Sequence, residues 1–317
     1  MTTMKACIRD SRGPDGLTRF GDLPKPTASK GYVVVKVMAA CCNPVDYKLP
    51  HFIMGGIPMG FDVAGIVETS ESPLYKPGDQ VFGNTKSAIA EYSLCDATHL
   101  AKKPAYLTWA QAAAMPLAFV TSYQAYKNYC DFDLKDKTVL VIGASGGCGS
   151  AGVILAKHMG AKDVVGVCSG KNADFVRGLG ATDICDYKSE NILDKYGAKH
   201  FDVVYDCASS SGGGENYFEE SFKVLKDEGQ IVALNGPPTS WVRKFIRWEA
   251  KGMKLLLTDN TDAKTTLENI FQICGPGLKP PVHDPVYSFD QEGLTAGYKM
   301  LQSRRAQGKV AFNVGGW

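Results

Sequence analysis

Two hydrophobic rhythms divide the chain. Between residues 138 and 236 five short apolar runs recur: Val139–Ile142, Asp163–Cys168, Asp183–Tyr187, Phe201–Cys207 and Gly229–Gly236. They are rich in Val and Ile, as strands are. The stretches between them are amphipathic, and 151–158 and 173–179 read as helices. Short strands alternating with helices predict a parallel sheet with crossover helices, an α/β doubly wound domain.

The first 115 residues follow a different rhythm. Short β-rich runs at Tyr32–Val37, Asp62–Glu68 and Ala88–Leu94 are broken by Gly and Pro turns, which predicts an irregular β domain. From about residue 283 the pattern is β-like, then helical, and the chain ends on the apolar run Lys309–Val314. A parallel sheet inserted between two such pieces predicts a discontinuous first domain (1–118 with 278–317) around a second domain at 119–277.

The first run of the parallel sheet opens directly into Gly143-Ala-Ser145-Gly146-Gly147-Cys148-Gly149, and a helical pattern follows at once. Such a turn offers backbone N–H groups and the positive end of a helix dipole to an anion, and its glycines let a pyrophosphate approach the main chain. Ligands of parallel sheets bind at the carboxyl ends of the strands, where this turn falls. A purely structural glycine turn is the competing reading; the succession of strands and helices around it favours a dinucleotide.

In NAD-specific domains an acidic residue about 20 positions beyond the glycines holds the ribose hydroxyls. Here the position carries Ser169, followed by Gly170, Lys171 and Asn172, with no carboxylate at this strand end. A hydroxyl and an ammonium suit a 2′-phosphate, so the expected cofactor is NADPH rather than NADH.

The 317 residues are 44% hydrophobic and 21% charged, with a net charge of +2, which gives no reason to invoke nucleic acid or an anionic membrane. No 18-residue apolar stretch or signal-peptide pattern is present, so neither a membrane span nor secretion is expected. The ten cysteines form no Cys-x-x-Cys pair and read as thiols of a reducing compartment, here the cytoplasm.

Several segments carry a family resemblance: Asn43-Pro-Val-Asp-Tyr-Lys48, Gly60-Phe-Asp-Val-Ala-Gly65, Gly78-Asp-Gln-Val-Phe-Gly83, Ala90-Glu-Tyr92, Thr121-Ser-Tyr-Gln-Ala125, Gly143–Gly149 and Gly308-Lys-Val310. Together they span nearly the whole chain, which resembles a zinc-free medium-chain dehydrogenase/reductase of the quinone and enone oxidoreductase branch. The resemblance implies a GroES-like β domain built from both chain ends around a Rossmann domain. It implies that Ser169, Lys171, Asn172 and Tyr187 line the adenosine phosphate site and that Lys48 approaches the cofactor ribose. It further implies Thr121 near the nicotinamide amide, Gly308 and Lys309 beside the cofactor, and a homodimer formed through the edge of the Rossmann sheet. The run Met253–Thr258 is the candidate edge strand; an inner strand is the alternative.

Zinc-dependent relatives use a Cys, a Gly-His-Glu and a later Cys or Asp as metal ligands. This chain has Asn43 at the first position and Gly60-Phe61-Asp62 at the second, so no metal is expected; catalytic zinc needs three protein ligands. Cys41 and Cys42 are adjacent and point to opposite faces of a strand, and the five histidines are scattered. The expected chemistry is hydride transfer to an electrophile, a quinone or an α,β-unsaturated carbonyl, whose developing oxyanion needs hydrogen-bond donors. Asn43, Tyr47 and Lys48 are the candidates, with Tyr47 also a candidate proton donor. Asp46 is expected to fix the loop, Asp206 to bond the Rossmann turn, and His51 to lie in a surface loop. The alternatives are a 2-enoyl thioester reductase and a non-enzymatic NADPH-binding sensor or structural protein.

Overall fold

The structure, a computed structural model, describes residues 2–13, 15–48, 56–129, 133–236 and 253–317. His51, expected in a surface loop, lies outside the described residues. The strands, in chain order, are β1 (Thr3–Arg9), β2 (Thr18–Pro24), β3 (Tyr32–Cys41), β4 (Asp62–Ser70), β5 (Gln80–Asn84), β6 (Tyr92–Asp96) and β7 (Leu100–Lys102). Then come β8 (Thr138–Ile142), β9 (Asp163–Cys168), β10 (Asp183–Asp186), β11 (Phe201–Asp206), β12 (Leu225–Ala233), β13 (Met253–Leu255), β14 (Tyr287–Ser288) and β15 (Ala311–Asn313). The chain forms two compact units: residues 1–120 with 259–271 and 275–317, and residues 121–258 with 272–274.

In the first unit β3 is the organising strand. It pairs antiparallel with β4, β6 and β15, so the start and the end of the chain share one sheet, ordered β14-β15-β3-β4-β5-β7. Val33, Val35 and Val37 of β3 enter one core with Phe312 of β15. Leu294 and Tyr298, four apart on the helix Gln291–Ser303, enter the same core from one helix face. Asp290 caps that helix by accepting the Gly293 N–H at 2.8 Å. Residues 259–271 also pack in this unit rather than with the Rossmann sheet: the Phe271 ring meets Phe82 of β5 edge-on at 5.8 Å.

The second unit is a six-stranded sheet ordered β10-β9-β8-β11-β12-β13, with every pairing parallel. The chain winds outward from β8 in one direction and from β11 in the other, so the switch point lies between these two strands. The glycine turn follows β8 and leads into the helix Gly147–His158. The architecture therefore comprises an α/β Rossmann domain and a GroES-like β domain.

Two expected runs move. Ala88–Leu94 resolves into a strand only at Tyr92–Asp96. Ala88, Ile89 and Ala90 are fully buried, but Ala88 and Ile89 bond to the loop at Met59–Gly60 and to Cys7, and Ala90 forms an isolated bridge to Ala6, so their hydrophobicity reflects burial and not a ladder. The strand expected at Gly229–Gly236 begins at Leu225 instead, through the charged stretch Lys226-Asp-Glu228, and ends at Ala233. Among the described residues no helix is long and apolar enough to cross a membrane.

Candidate active site

Two clusters hold the residues singled out above, one in each unit. In the second unit the glycine turn is built by close approach. Gly143 has φ +78°, a conformation that favours glycine, and the N–H groups of Gly143 and Ala144 both donate to the Val167 carbonyl, at 3.1 and 3.0 Å. A Cβ on Gly149 would lie 2.1 Å from the Gly143 carbonyl oxygen, so glycine there lets the helix press on the strand end. Gly146 differs: a Cβ there would meet only the Gly143 oxygen, at 3.5 Å. It is the helix N-cap and brings no capping side chain. The first amides of a helix have no carbonyl one turn back, so this open end fits a pyrophosphate.

Side chains brace the turn. The Asn172 amide donates to Ser145 Oγ at 3.0 Å. The Ser122 hydroxyl donates to the Cys148 carbonyl at 2.9 Å and lies 3.0 Å from the Tyr205 hydroxyl. The Asp206 carboxylate accepts the N–H groups of Ala208 and Ser209, both at 2.9 Å, and holds the turn after β11 against Gly143. Burial raises the Asp206 carboxyl despite these bonds. Thr121 is buried with its hydroxyl 2.8 Å from that of Thr258. Ser169 is buried at the end of β9, Lys171 is exposed and makes no ion pair among the described residues, and Tyr187 is exposed at the end of β10.

In the first unit, Pro44 begins the short helix Pro44–Lys48, where its missing N–H costs nothing. Asp46 is the buried residue of this helix. Its Oδ2 accepts the Asn43 N–H at 2.8 Å and the Tyr298 hydroxyl at 3.0 Å. Burial lifts this carboxyl to about 7, against the pull of the Asn43 N–H, the Lys309 charge and Tyr298. Tyr47 is half-buried, and Arg9 donates to its carbonyl at 2.9 Å. Burial and the neighbouring Cys42 raise its phenol, which therefore keeps its proton at neutral pH. Burial and Arg304 lower the Lys48 ammonium, which makes it a readier proton donor.

Asp62 is completely buried and fully engaged. Its Oδ2 accepts from Lys309 Nζ at 2.8 Å and from the Asn43 amide at 2.8 Å. Its Oδ1 accepts from the Leu117 N–H at 2.8 Å and from the Asn84 amide at 3.2 Å. Lys309 donates further to the Cys42 carbonyl and to Asn43 Oδ1, so its three N–H bonds are all directed. Burial disfavours its charge, but Asp62 more than compensates and the ammonium pKa is raised. Removing either partner would strand a buried charge, worth about 3–5 kcal/mol.

The sequence-derived residues are thus redistributed. Lys309, expected beside the cofactor, is sunk in the Asp62–Asn43 cluster, and Gly308 serves a tight turn: its φ is +73° and a Cβ would lie 2.4 Å from the Pro281 oxygen. Asn43, expected as an oxyanion donor, already spends one N–H on Asp62 and its oxygen on Lys309. Tyr298 and Asn84 are not marked by any local pattern, and although Asp62 and Lys309 each lie in a motif singled out above, their pairing is not readable because 247 residues separate them. The ligand positions do not suit a metal. Asn43 and Phe61 are poor ligands, Asp62 is saturated, burial holds Cys41 and Cys42 as thiols, and among the described residues no three His, Cys, Asp or Glu side chains converge.

Comparison with known proteins identifies the family. A family model described as an alcohol dehydrogenase GroES-like domain matches residues 29–125, and one described as a zinc-binding dehydrogenase matches residues 179–311. A 2-methylene-furan-3-one reductase of Solanum lycopersicum is 33% identical over 94% of this chain and 76% of its own length. The chain belongs to the medium-chain dehydrogenase/reductase superfamily, in its quinone and enone oxidoreductase branch. A chloroplastic NADPH-dependent alkenal/one oxidoreductase of Arabidopsis thaliana is 31% identical over 97% of the chain and 78% of that protein. The quinone oxidoreductase from Coxiella burnetii superposes with a TM-score of 0.81 at 25% identity, covering 98% of this chain and 99% of that one. Despite the second model's description, the ligand positions of this family member hold an ammonium-locked carboxylate and an amide.

Proposed function

We propose that the protein is an oxidoreductase that uses NADPH to reduce quinones or α,β-unsaturated carbonyls without a metal. The observation that carries the reading is the saturated Asp62: at a metal-ligand position of zinc-dependent relatives, both of its oxygens are already spent on Lys309, Asn43, Asn84 and Leu117. Such a site suits an acceptor that is electrophilic by itself. Bound nicotinamide supplies the hydride. The Gly143–Gly149 turn with Ser145 and Cys148 would hold the pyrophosphate, and Ser169, Lys171, Asn172 and Tyr187 the adenosine phosphate; Lys171 supports NADPH over NADH. Thr121 would orient the nicotinamide amide.

Tyr47 and Lys48 then carry the protein's share of the chemistry. Both are donors, and they would meet the charge that develops on the carbonyl oxygen. Tyr47 would donate the proton that completes reduction. Asn43 is a positioning residue in this scheme, because Asp62 and Lys309 fix both ends of its amide. The cytoplasm is the proposed compartment, and a second copy of the chain the proposed partner.

The test is NADPH oxidation by the purified protein against a panel of quinones, enones and a 2-enoyl thioester. Turnover is expected on the first two classes, and Tyr47→Phe should lower kcat by roughly ten- to a hundredfold with the NADPH dissociation constant unchanged. Tight NADPH binding without turnover on any electrophile would identify a sensor instead; unchanged kcat would remove Tyr47 from the chemistry.

A further inference from the structure

The end of β9 carries no carboxylate of its own, but the sheet brings one to it. β9 and β10 run parallel with Asp186 paired to Cys168, so the last residue of β10 stands beside the Ser169-Gly170-Lys171-Asn172 turn. The Tyr187 N–H extends the ladder to the Cys168 carbonyl at 3.3 Å. Asp186 Oδ1 accepts the Lys188 N–H at 3.0 Å, which fixes the carboxylate. Its Oδ2 is turned the other way, against Gly170: a Cβ on Gly170 would lie only 2.5 Å from it. Glycine at 170 is what admits the carboxylate to the main chain of this turn. Its charge is felt at the end of β9, where burial first and Asp186 second raise the Cys168 thiol, with Arg177 opposing.

Two of the other charges nearby are engaged elsewhere. Glu190 accepts the Asp186 N–H at 2.8 Å, but Lys195 pairs with it at 2.8 Å. Arg177 lies 3.5 Å from Asp174. Lys188, two residues beyond Asp186, and Lys171, one residue beyond Gly170, make no ion pair among the described residues, and Lys171 is the one carried by the turn that Asp186 abuts.

Resting on the NADPH reading above, we propose that Asp186 is a specificity-determining residue that opposes Lys171, so that this turn chooses its dinucleotide by a carboxylate–ammonium balance. Lys171 attracts a 2′-phosphate. Asp186 repels it and offers an acceptor to a free ribose hydroxyl. The preference for NADPH is therefore restrained, and NADH is also accepted.

The experiment measures kcat/KM and, by calorimetry, dissociation constants for NADPH and NADH in the wild type, Asp186→Asn and Lys171→Ala. Asparagine keeps the acceptor for the Lys188 N–H and removes only the charge. Asp186→Asn should raise the NADPH-to-NADH ratio by about tenfold, and Lys171→Ala should lower it by a similar factor. Both effects should shrink as ionic strength rises, which a packing role would not produce. A ratio within about twofold of wild type for Asp186→Asn would overturn the inference while leaving the NADPH reading intact. Binding without turnover would remove the proposed activity, and the affinity ratio would still decide for or against Asp186. Absence of binding to either dinucleotide would overturn both.

Discussion

Burial raises the Asp46 carboxyl to about 7, so the ionised form is the strained one at this site. The consequence for stability has a definite sign. Between its ordinary value of 3.8 and about 7, the unfolded chain has released this proton and the native protein still holds it. The native state binds more protons, so stability falls as pH rises through that window and levels off above it. Asp46→Asn removes the ionisation and leaves an oxygen to accept from Asn43 and Tyr298. Thermal melts should show the variant gaining on the wild type by about 2–3 kcal/mol between pH 5 and pH 8. A difference independent of pH would mean that Asp46 stays ionised in the fold. The loop-fixing role of Asp46 was legible from its setting among Pro44, Val45 and Tyr47. Its anchor was not, because Tyr298 lies 252 residues away in sequence and is brought to it by the C-terminal helix.

At the scale of elements, the glycine turn separates two uses of the same residue. Gly149 is needed for packing: its missing Cβ is the space in which the helix Gly147–His158 meets the end of β8. Gly146 is needed for approach, because its neighbourhood is open and its φ of −81° is one that any residue adopts. Gly149→Ala should therefore destabilise the protein by about 1–3 kcal/mol and weaken NADPH binding as a result. Gly146→Ala should leave the melting temperature unchanged while NADPH affinity falls, measured by calorimetry. Equal loss of stability in both would show that the turn serves packing alone. The strands of this region were readable because Val139–Ile142, Asp163–Cys168 and Phe201–Asp206 are apolar runs between glycine and polar breaks. The juxtaposition of Asp186 with Gly170 was not readable. It depends on which strand lies next to β9 and in what register, and a parallel pairing leaves no mark on either segment alone. The same holds for Lys309, whose run suggested a final strand but not its partner Asp62, 247 residues earlier.

For the whole molecule, the exposed question is the far side of the parallel sheet. Among the described residues β13 ends the strand order, paired only with β12. The Leu256 N–H donates inward to Ala233 at 2.9 Å, so by strand alternation the N–H groups of Met253 and Leu255 point away from β12. Met253 and Leu255 bury their side chains in the core of the second unit, while Leu257 is 65% exposed. An edge with outward amides and an exposed leucine invites another strand, and a second copy of this chain would supply the same edge in antiparallel orientation across a two-fold axis. Light scattering coupled to gel filtration should find a dimer, and Leu257→Glu should convert it to a monomer without lowering the melting temperature of the Rossmann unit. The glutamate would place like charges opposite each other across the axis, which a self-complementary interface cannot relieve. A wild type that remains monomeric at all concentrations tested would show that this edge takes no second copy.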